Sequence, residues 1–253
     1  VLATSLLADF AILVAPALLA GFAAALWLYR AAPATTGPAP PGNPIAMLPA
    51  LTIIDDFLSD PWAARRAALA LDYAPPGTGG NYPGRDTTGA LPVDAIDASV
   101  SRQLGVELVG APGTEHGHCR MTLKADRGRS GVHVDPAFYS GILYLSRPED
   151  CLKPGAGGTD FFRHKRTGLE RVPANGAELA ATGYDTVDDL VADVVNKDTT
   201  HPAKWERVMR VPMRFNRLVL FSPWQFHTAA PGFGTDPESA RLVMLLFFAR
   251  TGR

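Results

Sequence analysis

Three side chains in this 253-residue sequence have the types and spacing to hold one metal ion: His133, Asp135 and, far downstream, His227. Successive side chains of a β-strand point to opposite faces, so residues i and i+2 share a face. An extended His133-Val134-Asp135 would therefore project an imidazole and a carboxylate toward the same ion. A second imidazole from another strand, His227, completes a two-histidine, one-carboxylate face. Such a face leaves the opposite coordination positions open and is the ligand set of non-haem Fe(II) oxygenases, whose open positions take a co-substrate and O2. His116, His118, His164 and His201 lack a carboxylate at strand spacing and read as surface or lid residues.

A His-x-Asp triplet is a short motif that chance also produces, so its weight comes from the elements that would position it. Residues 119–125 alternate as a strand does, and a polar turn over 126–131 leads into the triplet. Residues 139–145 read as a second strand, 157–162 as a third that begins at a glycine turn, 217–221 as a fourth leading to His227, and 241–248 as a fifth. Ahead of these, residues 51–58 read as a strand, and Ser59 or Asp60 caps a helix with Pro61 in its first turn that runs to about Leu71. A short helix is expected over 94–104, and a loop with Tyr82-Pro83-Gly84-Arg85 that edges the site over 72–90. Residues 163–214 read as an insertion between the third and fourth core strands, with a helix over 184–195 packed outside the core and flanking arms placed to act as a lid.

The order of these segments resembles the double-stranded β-helix of the Fe(II)/2-oxoglutarate-dependent dioxygenases, in their prolyl-4-hydroxylase-like branch. Within that branch it is similar to a bacterial family known mainly as a domain of unknown function. The stretches that carry the resemblance are the His133-Val134-Asp135 triplet, Tyr144-Leu145, Gly157-Gly158-Thr159, residues 216–221 with His227 and Pro231, and the strand opened by Arg241. Together they cover roughly residues 50–250. The implied fold is mainly β with flanking helices: a jelly-roll, cupin-like sandwich over 48–253 that carries the 163–214 insertion.

The resemblance also implies the cofactors, Fe(II) and 2-oxoglutarate as co-substrate. It assigns His133, Asp135 and His227 to the metal, Arg241 to the far carboxylate of 2-oxoglutarate and Tyr144 to the same carboxylate. A planar guanidinium suits that role because it grips a carboxylate with two parallel hydrogen bonds. The spacing from His227 to Arg241 is longer than in many relatives, with 231–239 as an extended loop. The implied reaction is hydroxylation of a C–H bond, since halogenating relatives lose the carboxylate ligand. Phe138, Trp224 and Phe226 are candidates for an apolar wall around the metal.

Composition bounds the rest. A formal net charge of −1 and a pI near 6.6 leave no electrostatic footprint for nucleic acid. Two cysteines, Cys119 and Cys151, lack metal-site spacing and read as reduced thiols. Residues 10–29 contain no charge, and twenty helical residues span about 30 Å, the thickness of a bilayer core. Residues 1–30 are therefore expected to hold one transmembrane helix, with Trp27, Tyr29 and Arg30 at its interface, followed by a Pro/Ala-rich linker over 31–47. Ala17, Gly21 and Ala25 form a small-residue stripe against which a helix of a larger membrane complex or of a second copy could pack. The charge of Arg30 after the span favours a single-pass protein of the bacterial inner membrane with its soluble domain in the cytoplasm. Two other classes stay open: a catalytically silent dioxygenase-fold subunit that braces a membrane complex, and a cupin-type metalloenzyme that does not use 2-oxoglutarate.

Overall fold

The computed structural model describes residues 48–75, 81–152 and 157–251, which belong to one unit, Leu48–Arg253. The expected transmembrane helix with Ala17, Gly21 and Ala25, and the linker after it, lie outside the described residues. Among the described residues no helix is long and apolar enough to cross a membrane.

The strands are β1 (Leu51–Ile54), β2 (Arg85–Asp86), β3 (Leu108–Gly110), β4 (Cys119–Thr122), β5 (Tyr139–Tyr144), β6 (Thr159–His164), β7 (Trp205–Val211), β8 (Leu218–Phe221), β9 (His227–Ala229) and β10 (Arg241–Arg250). They pair antiparallel in two sheets. The larger runs β1-β8-β5-β10-β4-β2, with β3 on the far half of β10, and the smaller runs β7-β6-β9. Helices α1 (Pro61–Ala70) and α2 (Asp94–Leu104) flank the larger sheet. Asp60 caps α1 by accepting from the Ala63 N–H at 2.8 Å, and Pro61 stands at its start, where no N–H partner is needed.

The alternation along β10 explains the layers. Leu242, Met244, Leu246 and Phe248 enter a core shared with Ala68 of α1 and Ile96 and Val100 of α2. Val243 and Leu245 face the other way and pack with Phe161 of β6 and Val211 of β7. The larger sheet is thus covered by helices on one face and by the smaller sheet on the other. A strand buried on both faces must be apolar at nearly every position, and Arg241 is the one charge in residues 241–248. The architecture is mainly antiparallel β with few helices, its two sheets facing each other as in a jelly roll.

Several expectations need correction. The triplet lies in no ladder: only His133 is bridged, to His227, and residues 136–138 form a bend before β5. β4 stops at Thr122 because the Asp126 carboxylate takes the next N–H, that of Leu123, at 2.7 Å. β1 stops at Ile54 because Asp56 turns the chain with a φ of 55°. The insertion is shorter than 163–214, because β6 and β7 pair from Thr159↔Val211 to His164↔Trp205 and belong to the smaller sheet. What leaves the sheets is an excursion over 165–204, with short helices α3 (Gly176–Ala180) and α4 (Val187–Leu190) and a wide, π-helical turn at Val191–Asn196. Leu190, Val191, Val194 and Val195 are buried together here.

Candidate metal centre

His133 and His227 face each other as a directly bonded cross-strand pair. The His133 N–H donates to the His227 carbonyl at 2.9 Å, and the His227 N–H donates to the His133 carbonyl at 3.1 Å. Residues so paired present their side chains on one face, and the two rings lie 4.4 Å apart. Asp135 is held by its own N–H, which donates to the Pro223 carbonyl at 3.0 Å. Its carboxylate meets both rings, with Oδ1 3.6 Å from His133 Nε2 and Oδ2 3.2 Å from His227 Nε2. One ligand atom from each residue lies within 4.8 Å of the others, and this is the only such group of three among the described residues.

The protons point away from the centre. His133 Nδ1 lies 2.9 Å from the Gly131 carbonyl, and His227 Nδ1 lies 2.8 Å from the Gln225 carbonyl. A carbonyl can only accept, so both Nδ1 atoms carry a proton and both Nε2 atoms face Asp135. This is the outer-shell arrangement that orients a metal-binding imidazole. Burial, and then the neighbouring His227, pull the His133 pKa down to about 4, which keeps its ring neutral near pH 7. Burial pushes the Asp135 carboxyl up, but the two imidazoles and the Ser140 hydroxyl, which donates to Oδ2 at 2.7 Å, outweigh it and hold the group at about 2. Two imidazoles and one ionised carboxylate converge on one point, and that donor set fits a divalent ion with open positions.

Arg241 lines the same cavity as the triad, which has a volume of about 80 Å³ and is walled by Ile142, Phe221, Val243, Leu245 and Phe247. Only 1% of Arg241 is exposed, and it has no carboxylate partner among the described residues. One guanidinium nitrogen donates to the Gly158 carbonyl at 3.3 Å, and the buried Nε has no partner. Desolvation lowers its pKa to about 10. A buried cation without a counter-charge is costly. Here the missing counter-charge fits an anionic ligand between the guanidinium and the triad. Tyr144 is fully buried on the same sheet face, but its hydroxyl is engaged at 2.8 Å by Thr159 Oγ1 and it does not line the cavity.

A cleft of about 1100 Å³ bounded by residues 124–131 and 228–235 shares Pro83, Thr228 and Ala229 with the cavity. Tyr82 lines the cavity, its ring 4.5 Å from that of His133, so the 72–90 segment does edge the site. Arg120 lines the cavity too, neutralised by two hydrogen bonds to Asp86 at 2.5 and 2.7 Å and with its guanidinium 5.0 Å from the centre of the Tyr82 ring. A separate pocket of about 760 Å³ under the excursion is lined by Arg166, Glu170, Arg171 and Glu178, whose charges are paired within the excursion and with Arg163.

Some site residues escaped the sequence reading. Ser140, Arg120, Gly131 and Gln225 carry no motif; they matter only because the fold brings them to the triad. The expected apolar wall is also different: Phe226 packs on Trp205, away from the cavity, and neither Phe138 nor Trp224 lines it. His164 is not a surface residue. It is fully buried and bonded to Asp198 at 3.0 Å. His116 is held by Asp97, and His118 by the Thr87 carbonyl, outside the triad. Cys119 and Cys151 are free thiols.

The model of a family of unknown function, DUF6445, matches residues 46–248. No curated protein matches the chain. Among solved structures, HygX from Streptomyces hygroscopicus, with nickel and 2-oxoglutarate bound, is similar at 15% identity over 80% of this chain and 83% of that one, with a TM-score of 0.38. The non-heme alpha ketoglutarate-dependent epimerase SnoN from nogalamycin biosynthesis is similar at 15% identity over 79% of this chain and 78% of its own, with a TM-score of 0.40. The Fe(II)/(alpha)ketoglutarate-dependent dioxygenase TqaL is similar at 13% identity over 94% and 91%, with a TM-score of 0.38.

Proposed function

We propose that this chain, which belongs to the family of unknown function DUF6445, is an Fe(II)/2-oxoglutarate-dependent dioxygenase of the prolyl-4-hydroxylase-like kind that hydroxylates a C–H bond. The observation that carries the reading is one cavity lined both by a two-histidine, one-carboxylate face and by a buried guanidinium with an unpartnered Nε. Bound there, the metal and its co-substrate would supply O2 activation and oxidative C–H chemistry.

The chain's own residues have separable tasks. His133, Asp135 and His227 hold the metal on one side only. The Gly131 and Gln225 carbonyls keep the two Nδ1–H groups outward, and Ser140 keeps Asp135 turned inward. Arg241 binds the far carboxylate of the co-substrate, and Tyr144 lies beside that guanidinium on the same face. Ile142, Val243, Leu245 and Phe247 exclude water, which strengthens the charge pairing inside. The substrate approaches through the cleft past Pro83 and Ala229.

The uncharged stretch over 10–29 supports a membrane anchor for this domain. Detergent-free extraction of the full chain into the soluble fraction would remove that part of the proposal. The enzymatic part is tested by incubating the protein with Fe(II), 2-oxoglutarate and ascorbate in air and measuring succinate. Slow succinate formation without added substrate is expected, lost in Asp135→Ala. Absence of both succinate and 2-oxoglutarate binding in the intact protein would reject the reading.

A further inference from the structure

His133 owes its orientation to a residue 66 positions downstream, and we propose that Thr199 is a positioning residue that holds this imidazole toward the metal. The inference rests on the reading of His133 as a metal ligand.

The two ligand histidines use the same device, a carbonyl two residues earlier that accepts from Nδ1, and the excursion holds the N–H end of both peptide units. Behind His227 the Phe226 N–H donates to the Glu170 carbonyl at 2.9 Å, and the Gln225 N–H closes a turn on the Ser222 carbonyl at 3.2 Å. Behind His133 a side chain takes part as well. Gly131 and Val132 have no strand neighbour and bond to the excursion. The Thr199 hydroxyl accepts from the Gly131 N–H at 3.0 Å and donates to the Val132 carbonyl at 2.9 Å, and the Thr199 carbonyl accepts from the Val132 N–H at 3.0 Å.

The consequence follows from peptide geometry. The Gly131 carbonyl and the Val132 N–H belong to one planar trans unit and point in opposite directions. Thr199 holds the N–H end, so the carbonyl end is aimed at His133 Nδ1. The hydroxyl clamps the groups on either side of that unit and blocks its rotation. Gly131 has to be glycine for this fit, because a Cβ there would lie 2.2 Å from the Thr199 carbonyl oxygen.

Thr199 is anchored in turn. The neighbouring Asp198 is bonded through its carboxylate to the buried His164 of β6 at 3.0 Å and through its carbonyl to the Trp205 indole N–H at 2.8 Å. The π-helical turn at Val191–Asn196 ends just before this pair, and such turns are frequent at functional sites. The excursion is therefore a brace behind the first ligand histidine. It needs no lid movement to influence the metal.

The test compares Thr199→Val, which keeps the shape and loses the hydroxyl, with Thr199→Ser, which keeps the hydroxyl. In the metal-free protein, long-range 1H–15N NMR should find His133 as the Nδ1–H tautomer in the intact chain and in Thr199→Ser, and a mixture of tautomers in Thr199→Val. Anaerobic Co(II) titration should give about 10- to 100-fold weaker binding and an altered d–d spectrum for Thr199→Val, with Thr199→Ser close to the parent. If Thr199→Val does not fold, Thr199→Ala makes the same comparison. An unchanged tautomer, or Co(II) binding within threefold of the parent with the same spectrum, overturns the proposal. Absence of Co(II) binding by the parent itself overturns the metal-ligand reading, and the tautomer measurement still decides what Thr199 does to the ring.

Discussion

Replacing Arg241 with methionine should make the metal-free protein slightly more stable while nearly abolishing 2-oxoglutarate binding. Burial lowers the guanidinium pKa well below its ordinary value, to about 10, which represents roughly 3 kcal/mol of uncompensated desolvation. Against it stands one hydrogen bond to the Gly158 carbonyl at 3.3 Å, a long one. A hydrogen bond from a charged group contributes about 1.5–3 kcal/mol, and the lower end applies to this length. The Gly158 carbonyl also accepts from the Ala230 N–H at 3.1 Å, so removing Arg241 orphans nothing. The unbranched methionine replaces most of the buried chain. The balance favours the variant by about 1 kcal/mol, or some 2–4 °C in thermal midpoint for a domain of this size. Co-substrate binding should move the other way, since truncating one partner of a buried charge pair costs about 2–5 kcal/mol, a 30- to several-thousand-fold loss. Calorimetric titration of 2-oxoglutarate into the anaerobic Mn(II)-loaded protein, beside thermal unfolding of the metal-free form, measures both. An unchanged 2-oxoglutarate affinity would refute the role of Arg241. A large drop in thermal midpoint would refute the claim that its charge is unpaired.

Three further outcomes follow from the same geometry. Ser140→Ala removes the hydroxyl that donates to Asp135 Oδ2 at 2.7 Å and should weaken Co(II) binding by about tenfold, the low end for an outer-shell partner; equal affinity in a direct titration would show that Asp135 is oriented by other contacts. The metal-free protein should lose stability as the pH falls from 6.5 toward about 4, because folded His133 resists a proton that the unfolded chain accepts, a slope worth up to about 3 kcal/mol. Denaturant midpoints across that range should be flatter in His133→Gln, and parallel curves would refute the depressed pKa. Divalent metal at one hundred times its Kd should stabilise the domain by about 2.7 kcal/mol, raising the thermal midpoint by roughly 5–10 °C. That rise should vanish with chelator and in His227→Ala, and a rise of equal size in the variant would move the metal elsewhere.

What the sequence determined by itself was the local chemistry and the places of the more apolar strands. His133, Asp135 and His227 stand out by residue type and spacing, and Arg241 through the family resemblance, which its place at the head of an apolar strand agrees with. The helices at Pro61–Ala70 and Asp94–Leu104 were legible because caps and periodicity are local signals. The tertiary structure alone decided how these parts meet. The triplet was read as strand, yet its alignment comes from one bridge to His227 and a bend, neither of which has a local signature. Strand β7 was read into the insertion because Trp205–Val211 carries Glu206, Arg207 and Arg210, and only its pairing with β6 makes it part of the smaller sheet. That the Tyr144 hydroxyl meets Thr159 Oγ1 on β6 depends on how the two sheets face each other. Ser140, Gly131 and Thr199 matter through single hydrogen bonds across the fold. Such bonds depend on where two distant backbones come to lie, and that is set by the packing of sheets and excursion, not by the residues on either side.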